Sequence, residues 1–546
     1  MRKQVPRHEA GDLETVRRLG AGLAVRPDLL LEHLHRIQDA CGHLPARLLS
    51  ALAEHLGIAP AEVHETASFY HHFDLVREGE APPPPVTVRV CTSPACRLGG
   101  AEALLARLRA GLPATRARVV AASCIGRCDG APAVLVGRRP LAPADAAAVT
   151  AAALGSDTEA PVPAAEGLAA YRARGGYRHL AALADGRLDP ERVLAELEAA
   201  GLRGLGGASF PTARKWRIVR AQPAPKAVVV NLDEGEPGTF KDRWFLETAP
   251  HRMLEGALVA ARVVGAERVV LYLRDEYAGA RAVLARELAA LAADPPAPLP
   301  ELALRRGAGA YICGEESAML ESIEGRRGWP RLRPPYVAER GLHGRPTLVQ
   351  NGETLYWVPE ILDRGGARFA ACGRNGGRGL RAYSVSGRVR RPGVYVAPVG
   401  VSARELIEEH AGGMADDRPL YAFFPGGAAS GILPADAAHL PLLPETLAPL
   451  GASPGTGALT VLAEGDRARD AALAVMRFLA AESCGQCTPC RAGTARAAEL
   501  MAEGRWAVET LEALCELMAE ASICGLGQAA PNPVRSVLRH FRHELG

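Results

Sequence analysis

Cys484-Gly-Gln-Cys487-Thr-Pro-Cys490 sets three thiols three residues apart, and Ser-Ile-Cys524-Gly-Leu-Gly supplies a fourth after a helical stretch. Three residues of chain span at most about 10 Å, so these thiolates can converge on one small inorganic object. A C-x₂-C-x₂-C run with a remote fourth cysteine offers one ligand to each iron of a 4Fe–4S cube. Zinc also accepts four cysteines, but usually from two separate C-x₂-C knuckles. A disulfide framework is disfavoured in a long chain with no export signal. The spacing points to electron transfer.

A second set of thiols consists of Cys91-x₄-Cys96 and Cys124-x₃-Cys128, with 27 residues between the pairs. Each pair follows an expected strand and sits in a loop beside Gly99-Gly100 or Gly126. Four thiolates from two loops can enclose a flat 2Fe–2S rhomb; zinc and buried free thiols are the alternatives. Cys41, Cys313, Cys372 and Cys515 have no ligand spacing and read as small apolar core residues. His64-Glu65 opens like H-E-x-x-H, but Ser68 stands where the second histidine must be.

Three loops could hold an organic cofactor. Gly201-Leu-Arg-Gly204-Leu-Gly206-Gly207-Ala-Ser209-Phe210-Pro211-Thr-Ala-Arg-Lys215 lets backbone N–H groups approach a phosphate, and a helix starting near Pro211 offers its positive end. An ordinary glycine-rich turn is the alternative, since Ser209 breaks the strict G-x-G-x-x-G pattern. Asn231-Leu-Asp233-Glu234-Gly235-Glu236 and Gly309-Ala-Tyr311-Ile-Cys313-Gly314-Glu315-Glu316 are acidic turns after expected strands, where open α/β sheets bind ligands. Carboxylates repel phosphate but suit sugar hydroxyls and ring N–H groups; solvated turns are the bland reading. Taken together beside an iron–sulfur cluster, the loops point to flavin mononucleotide (FMN) with room for NAD.

The elements that must position these groups follow from pattern. Residues 27–73 read as three helices, stopping at Gly42, at Gly57 and near Phe73. Residues 86–136 read as β-α-β-β, a small α/β layer. Asp189-Pro190 caps a helix that ends at Gly201. Lys226–Val230 and Arg268–Leu273 are apolar runs typical of buried parallel strands. Residues 382–398 form a hairpin about Arg391-Pro392-Gly393, Ser402 and Glu405 form a capping box, and strands follow at 422–424 and 458–462. From 466 onward the chain is helical. The expected units are 1–80, 86–150, a linker over 151–170, then 171–375, 380–463 and 466–546.

The totals bound the function. The chain has 546 residues, 48% hydrophobic and 23% charged, as in a globular, core-forming protein. Its 64 basic and 61 acidic side chains leave a net charge of +3, which argues against a nucleic-acid partner. The N-terminus lacks the apolar segment of a signal peptide, and no long apolar run suggests a membrane span. A cytoplasmic location is expected. Only four of the basic residues are lysines, and Lys215 and Lys241 both fall within or beside the candidate loops.

These segments, with Glu324-Gly-Arg-Arg-Gly328 and Thr354-Leu-Tyr-Trp357, resemble the NADH-binding flavoprotein (diaphorase) subunit of complex I and of soluble NAD-linked formate dehydrogenases and hydrogenases. Residues 1–150 resemble the smaller thioredoxin-like 2Fe–2S subunit of the same assemblies, through Leu44-Pro45, Leu56-Gly57 and Ala67-Ser68-Phe69-Tyr70. The resemblance implies a multidomain α/β chain: an N-terminal helical part and thioredoxin-like ferredoxin domain, a Rossmann-like FMN domain, a β-grasp domain and a C-terminal helical 4Fe–4S domain. It implies that Gly204, Gly206, Gly207 and Lys215 hold the flavin phosphate end, with Gln350 and Asn351 closing that side. Asn231, Asp233, Glu234, Tyr311, Gly314 and Glu315 would contact the ribityl chain and ring. Glu236 and Glu316 would serve NAD(H), beside Phe210, Tyr336 and Arg333. Leu205, Ser209 and Gln350 depart from the family's usual Arg, Gly and Asn. The fused layout, Gly201-Leu-Arg-Gly-Leu-Gly-Gly, Gly126-Arg-Cys128-Asp129 and Tyr356-Trp357 look most like the formate dehydrogenase beta subunit, whose large partner carries a molybdenum or tungsten pterin and further clusters. A hydrogenase diaphorase, a complex I component and a flavin-free iron–sulfur scaffold or redox sensor are the alternatives.

Overall fold

Helices dominate the start of the computed structural model, which describes residues 8–545. Ala10–Leu19, Leu30–Cys41, Ala46–Leu56 and Pro60–Phe69 pack through Val16, Leu34, Leu52 and Val63. The helix expected from Leu44 starts two residues later. Leu44–Pro45 (β1) instead pairs in parallel with Leu75–Val76 (β2), and Pro45 disfavours helical backbone at the residue before it. The next helix stops at Phe69, short of the expected Phe73.

The unit expected to carry the 2Fe–2S cluster holds β3 (Val86–Cys91), β4 (Ala117–Ala122), β5 (Val134–Val136) and β6 (Arg139–Leu141) in the order β4-β3-β5-β6. Val88, Val90 and Val136 pack on Leu104 and Leu108 of the helix Ala101–Gly111. Cys96 lies on a five-residue helix, Pro94–Leu98, too short to leave a periodic signal. The helix Ala146–Leu154 runs past residue 150, and an irregular connection follows to the helix Leu168–Ala173.

In the unit expected to bind FMN, β7 (Ala227–Leu232), β8 (Arg268–Leu273), β9 (Glu301–Arg306) and β10 (Thr347–Asn351) form a wholly parallel sheet, ordered β10-β7-β8-β9. The chain winds outward from β7 through β8 to β9, then returns to the other flank of β7 as β10. That reversal opens a crevice beyond the carboxyl ends of β7 and β10, the preferred ligand position in such sheets. Asn231 and Asn351, at those ends, are register partners.

The next unit pairs β11 (Leu380–Gly387), β12 (Gly393–Pro398), β13 (Leu420–Phe424), β14 (Leu433–Pro434) and β15 (Ala458–Ala463) as β12-β11-β15-β13-β14. The hairpin and the Ser402–Glu405 capping box form as expected. Helices Ala468–Ala481, Thr488–Ala502, Val508–Ala521 and Pro531–His540 complete the chain. Among the described residues no helix is long and apolar enough to cross a membrane.

Helices Pro250–Val264 and Gly352–Arg364 pack face to face behind the parallel sheet. A Cβ on Gly256 would stand 1.9 Å from the Leu355 carbonyl oxygen, which belongs to helical backbone and cannot swing aside. Gly256→Ala should therefore cost about 1–3 kcal/mol or more, read as a lower urea midpoint at constant slope; an unchanged midpoint would refute this account of the contact.

Candidate functional site

The crevice at β7 and β10 deepens into a cavity of about 310 Å³. Of the residues expected around the flavin, Gly206, Asn231, Asp233, Glu234, Tyr311, Gly314, Glu315 and Asn351 line it, together with Glu236, expected to serve NAD(H). Their orientations are set by hydrogen bonds. Asn231 Nδ2 donates to the Gly314 carbonyl at 2.9 Å, and Asn351 Nδ2 donates to Asp242 at 2.7 Å. Glu234 accepts from the backbone N–H of Asp242 and Arg243 at 2.8 and 3.1 Å. Glu236 accepts from the Tyr311 hydroxyl and, at 2.8 Å, from Ala429 N–H.

Two observations test whether FMN suits this wall. Gly206 and Gly235 bring bare backbone to it: an added Cβ would come within 3.1 Å of Asn351 and 2.8 Å of Tyr311. Asp233 Oδ2 is buried with no hydrogen-bond partner, and a sugar hydroxyl or ring N–H would satisfy it. Burial raises the carboxyl pKa of Asp233 and Glu236. Burial and the adjacent Asp242 push Glu234 up to about 7, against the pull of Lys241. The residues fit the group.

The remaining expected residues form a rim or lie in the core. Lys215 Nζ pairs with Glu316 at 3.0 Å, and Arg333 pairs with Glu315 and, at 3.3 Å, with Glu316. This ionic chain joins the cavity wall at Glu315, so Lys215 does not line the cavity itself. Phe210 and Tyr336 are 40% and 54% exposed, free faces for a planar ring. Gly204 N–H donates to the Phe210 carbonyl at 2.9 Å, closing the glycine loop, and Gly207 has a φ of +115°. Gln350 is buried and accepts from Trp216 Nε1 at 3.4 Å, facing away from the cavity. Leu205 likewise points into the core.

Sequence reading missed Thr239, Lys241 and Asp242 in the wall, along with Thr456 from the β-grasp unit and Gly525-Leu526 from the C-terminal helices. Lysine scarcity was the only signal for Lys241; the others come from distant segments. Gly525-Leu526 matters most, because it follows the expected ligand Cys524 directly and puts that end of the 4Fe–4S site in the cavity wall. Cys487 caps the helix Thr488–Ala502, Cys490 lies in its first turn, and the Cys484 carbonyl accepts from Trp329 Nε1 at 3.1 Å. A Cβ on Gly527 would reach 2.9 Å from Cys490 Cβ, so only glycine lets the Cys524 turn close on its partners.

Cys91, Cys96, Cys124 and Cys128 are all buried, with Cys124 and Cys128 Sγ atoms 3.4 Å apart. The Cys128 contact lowers the Cys124 thiol pKa, but the Cys91 contact and burial outweigh it and carry it up to about 12. Loading metal must therefore expel protons. Among the described residues no three His, Cys, Asp or Glu side chains enclose a single-ion position. Each set instead offers four thiols, the donors of an iron–sulfur cluster. The FMN domain grips the 2Fe–2S loop: Arg274 donates to the Cys124 carbonyl at 2.5 Å and Arg243 to the Gly126 carbonyl at 2.9 Å.

Known proteins match in the same order. Residues 20–153 match the thioredoxin-like [2Fe-2S] ferredoxin model, 197–360 the Nuo51 FMN-binding domain, and 470–546 the NADH-ubiquinone oxidoreductase-F iron-sulfur binding region. The F 2 subunit of NADH-quinone oxidoreductase in Rhizobium meliloti (strain 1021) is 40% identical over 399 residues, covering 70% of this chain and 94% of that one. The F subunit of Aquifex aeolicus (strain VF5) is 37% identical over 395 residues, covering 68% and 89%. The chain belongs to the family of NADH-quinone oxidoreductase F subunits. A chain of NAD+-reducing [NiFe]-hydrogenase in the H2-reduced state superposes with a TM-score of 0.83 at 35% identity, covering 95% of this chain and 92% of that one. As a member of that family, the chain is an NADH-binding oxidoreductase component with FMN, 2Fe–2S and 4Fe–4S sites.

Ser209, where most family members are expected to carry glycine, has a φ of +52°. Left-handed backbone costs a non-glycine residue roughly 1–2 kcal/mol. Ser209→Gly should tighten flavin retention, measured by fluorescence on dilution; faster flavin loss would show that the serine contributes a contact.

The two thiol sets should also be separable. Cys487→Ala is expected to abolish transfer to the physiological partner while sparing NADH-to-dye activity, and Cys124→Ala to remove only the 2Fe–2S paramagnetic signal. Loss of both signals in either variant, or zinc in place of iron, would reject two independent clusters.

Proposed function

We propose that this chain is the cytoplasmic diaphorase subunit of an NAD-linked multisubunit oxidoreductase, coupled to a metal-containing catalytic partner of the NAD+-reducing hydrogenase kind. The observation that carries this reading is extent. The hydrogenase chain aligns with 95% of this one, which takes in the N-terminal 2Fe–2S domain, whereas the two NADH-quinone oxidoreductase relatives align with 70% and 68%. A fused layout is the common feature.

FMN, when bound, connects the two-electron hydride exchange of NAD(H) with the one-electron exchange of iron–sulfur clusters. The side chains divide the remaining work. Asn231, Asp233 and Asn351 hold the polar tail and phosphate end of the flavin, and Gly206 with Gly207 lets backbone approach it. Glu236, held by Tyr311 and Ala429, orients NAD(H) together with Glu316. Phe210 and Tyr336 offer faces to its rings, and Arg333 keeps Glu315 and Glu316 in place. Leu526 and Tyr311 exclude water between the cavity and the Cys524 turn.

A formate dehydrogenase beta subunit, partnered by a molybdenum or tungsten pterin protein, is the second reading. It is supported by Gly126-Arg127-Cys128-Asp129 and Tyr356-Trp357. Asp129 pairs with Arg243 at 2.7 Å and Tyr356 stacks on Phe245 at 3.9 Å; both contacts would serve docking and packing equally in either assembly.

Acid extraction of the purified chain should release about one flavin, by the one-site reading, and NADH should reduce an artificial dye. Missing flavin together with no activity after flavin is restored would overturn the diaphorase reading. Nickel in the co-purifying large subunit supports the hydrogenase kind, and molybdenum or tungsten the formate kind.

A further inference from the structure

Glu482 closes the helix Ala468–Ala481, two residues ahead of the expected ligand Cys484, and is only 5% exposed. Its carboxylate reaches three separate parts of the molecule. Ser123 Oγ, next to Cys124 of the 2Fe–2S set, donates to one oxygen. Tyr311 N–H, in the flavin cavity wall, donates to the other at 2.9 Å. His71 Nδ1, from the N-terminal helices, lies 3.7 Å away. One side chain thus touches a residue beside each of the two cofactor sites outside its own domain, while standing beside the third.

Apolar packing does part of this work, since Phe240 and Val394 pack against Ala95, Cys124 and Cys128. A cavity of about 380 Å³ occupies the junction, with Cys124, Asp233, Tyr311, Phe478 and Glu482 in its wall. The 2Fe–2S loop is also held by discrete polar contacts: Arg274 and Arg243 of the FMN domain on its backbone, Glu247 and Arg243 on Arg127 and Asp129, and Glu482 on Ser123. Charged hydrogen bonds of this kind are the stronger class and carry defined geometry. The arginines fix the loop to the FMN domain alone. Glu482 brings a hydrogen bond to it from the 4Fe–4S domain, beside the approach of the helix Ala468–Ala481 to the helix Pro94–Leu98.

We propose that Glu482 is a positioning residue that sets the place of the 2Fe–2S centre relative to the flavin site and the 4Fe–4S centre. The inference rests on the diaphorase reading for its kinetic arm only. NADH supplies two electrons with release of NAD+ and a proton, and each cluster accepts one, so the proposal adds no chemical step.

The test compares the full cofactor-loaded chain with Glu482→Ala, Glu482→Gln and Ser123→Ala. In dithionite-reduced protein, the microwave power that half-saturates the 2Fe–2S signal should shift in Glu482→Ala, because relaxation by the neighbouring cluster depends on separation. After mixing with NADH, the 2Fe–2S centre should be reduced about tenfold more slowly as the docked fraction falls, with the 4Fe–4S centre unaffected. Glu482→Gln should restore both, since an amide can accept from Tyr311 N–H and donate to Ser123 Oγ. Unchanged saturation in Glu482→Ala, or a glutamine variant no better than alanine, would overturn the proposal. Should Glu482→Ala fail to load its clusters, Ser123→Ala decides: a shifted half-saturation power supports the role and a wild-type value rejects it. Failure of the wild-type chain to reduce either cluster with NADH would count against the diaphorase reading, while the dithionite comparison still tests Glu482.

Discussion

A buried ammonium holds the flavin crevice together. Lys241 is 1% exposed, and its Nζ lies 3.1 Å from Asp242 and 3.0 Å from Glu353. Asp242 also accepts from Asn351 Nδ2 and, at 2.9 Å, from Glu353 N–H. Glu353 accepts from Ala382 N–H of β11 at 2.6 Å. Three elements thus converge on one charge: the helix Lys241–Thr248, the helix Gly352–Arg364 that follows β10, and the first strand of the β-grasp unit. Removing one partner from such a cluster strands the others in low dielectric, a loss of about 3–5 kcal/mol. An arginine could not replace this lysine, because the site is built for a compact point charge and not a planar fork.

Burial governs the acidic wall. It raises the carboxyl pKa values of Asp233, Glu234 and Glu236, against the pull of Arg274 at Asp233 and of Lys241 at Glu234. The rim is built differently. Lys215 and Arg333 meet Glu315 and Glu316 in pairs at a partly exposed edge, where charge is better solvated. One end of the site accepts hydroxyls and ring N–H groups, and the other presents fixed charges to a second nucleotide.

Local signals in the sequence were strong wherever one segment made one element. Asp189 caps its helix, Gly201 ends it in left-handed backbone, and Ala227–Leu232 is the buried strand that its valines demand. The thiol sets were legible because ligand spacing is local. Contacts between units were not legible. Thr456 and Gly525-Leu526 reach the cavity from far downstream of any motif there, and no periodicity encodes that approach. Nor did motif position show the partners of Lys215 and Gln350, an ion pair with Glu316 and a bond from Trp216. The docking of the 2Fe–2S loop on the FMN domain through Arg243 and Arg274 left no signal in the sequence either.

The irregular connection between the helices ending at Leu154 and beginning at Leu168 gives that docking a different thermodynamic footing. Two separate subunits meeting through a few polar bonds must find each other at cellular concentration and part on dilution. Tethered by a short connection, the same faces experience an effective concentration of about millimolar. A junction of modest intrinsic affinity can then stay closed at any protein concentration. Covalent continuity supplies the association that a larger apolar interface would otherwise have to provide, and it leaves the junction free to open briefly without losing its partner.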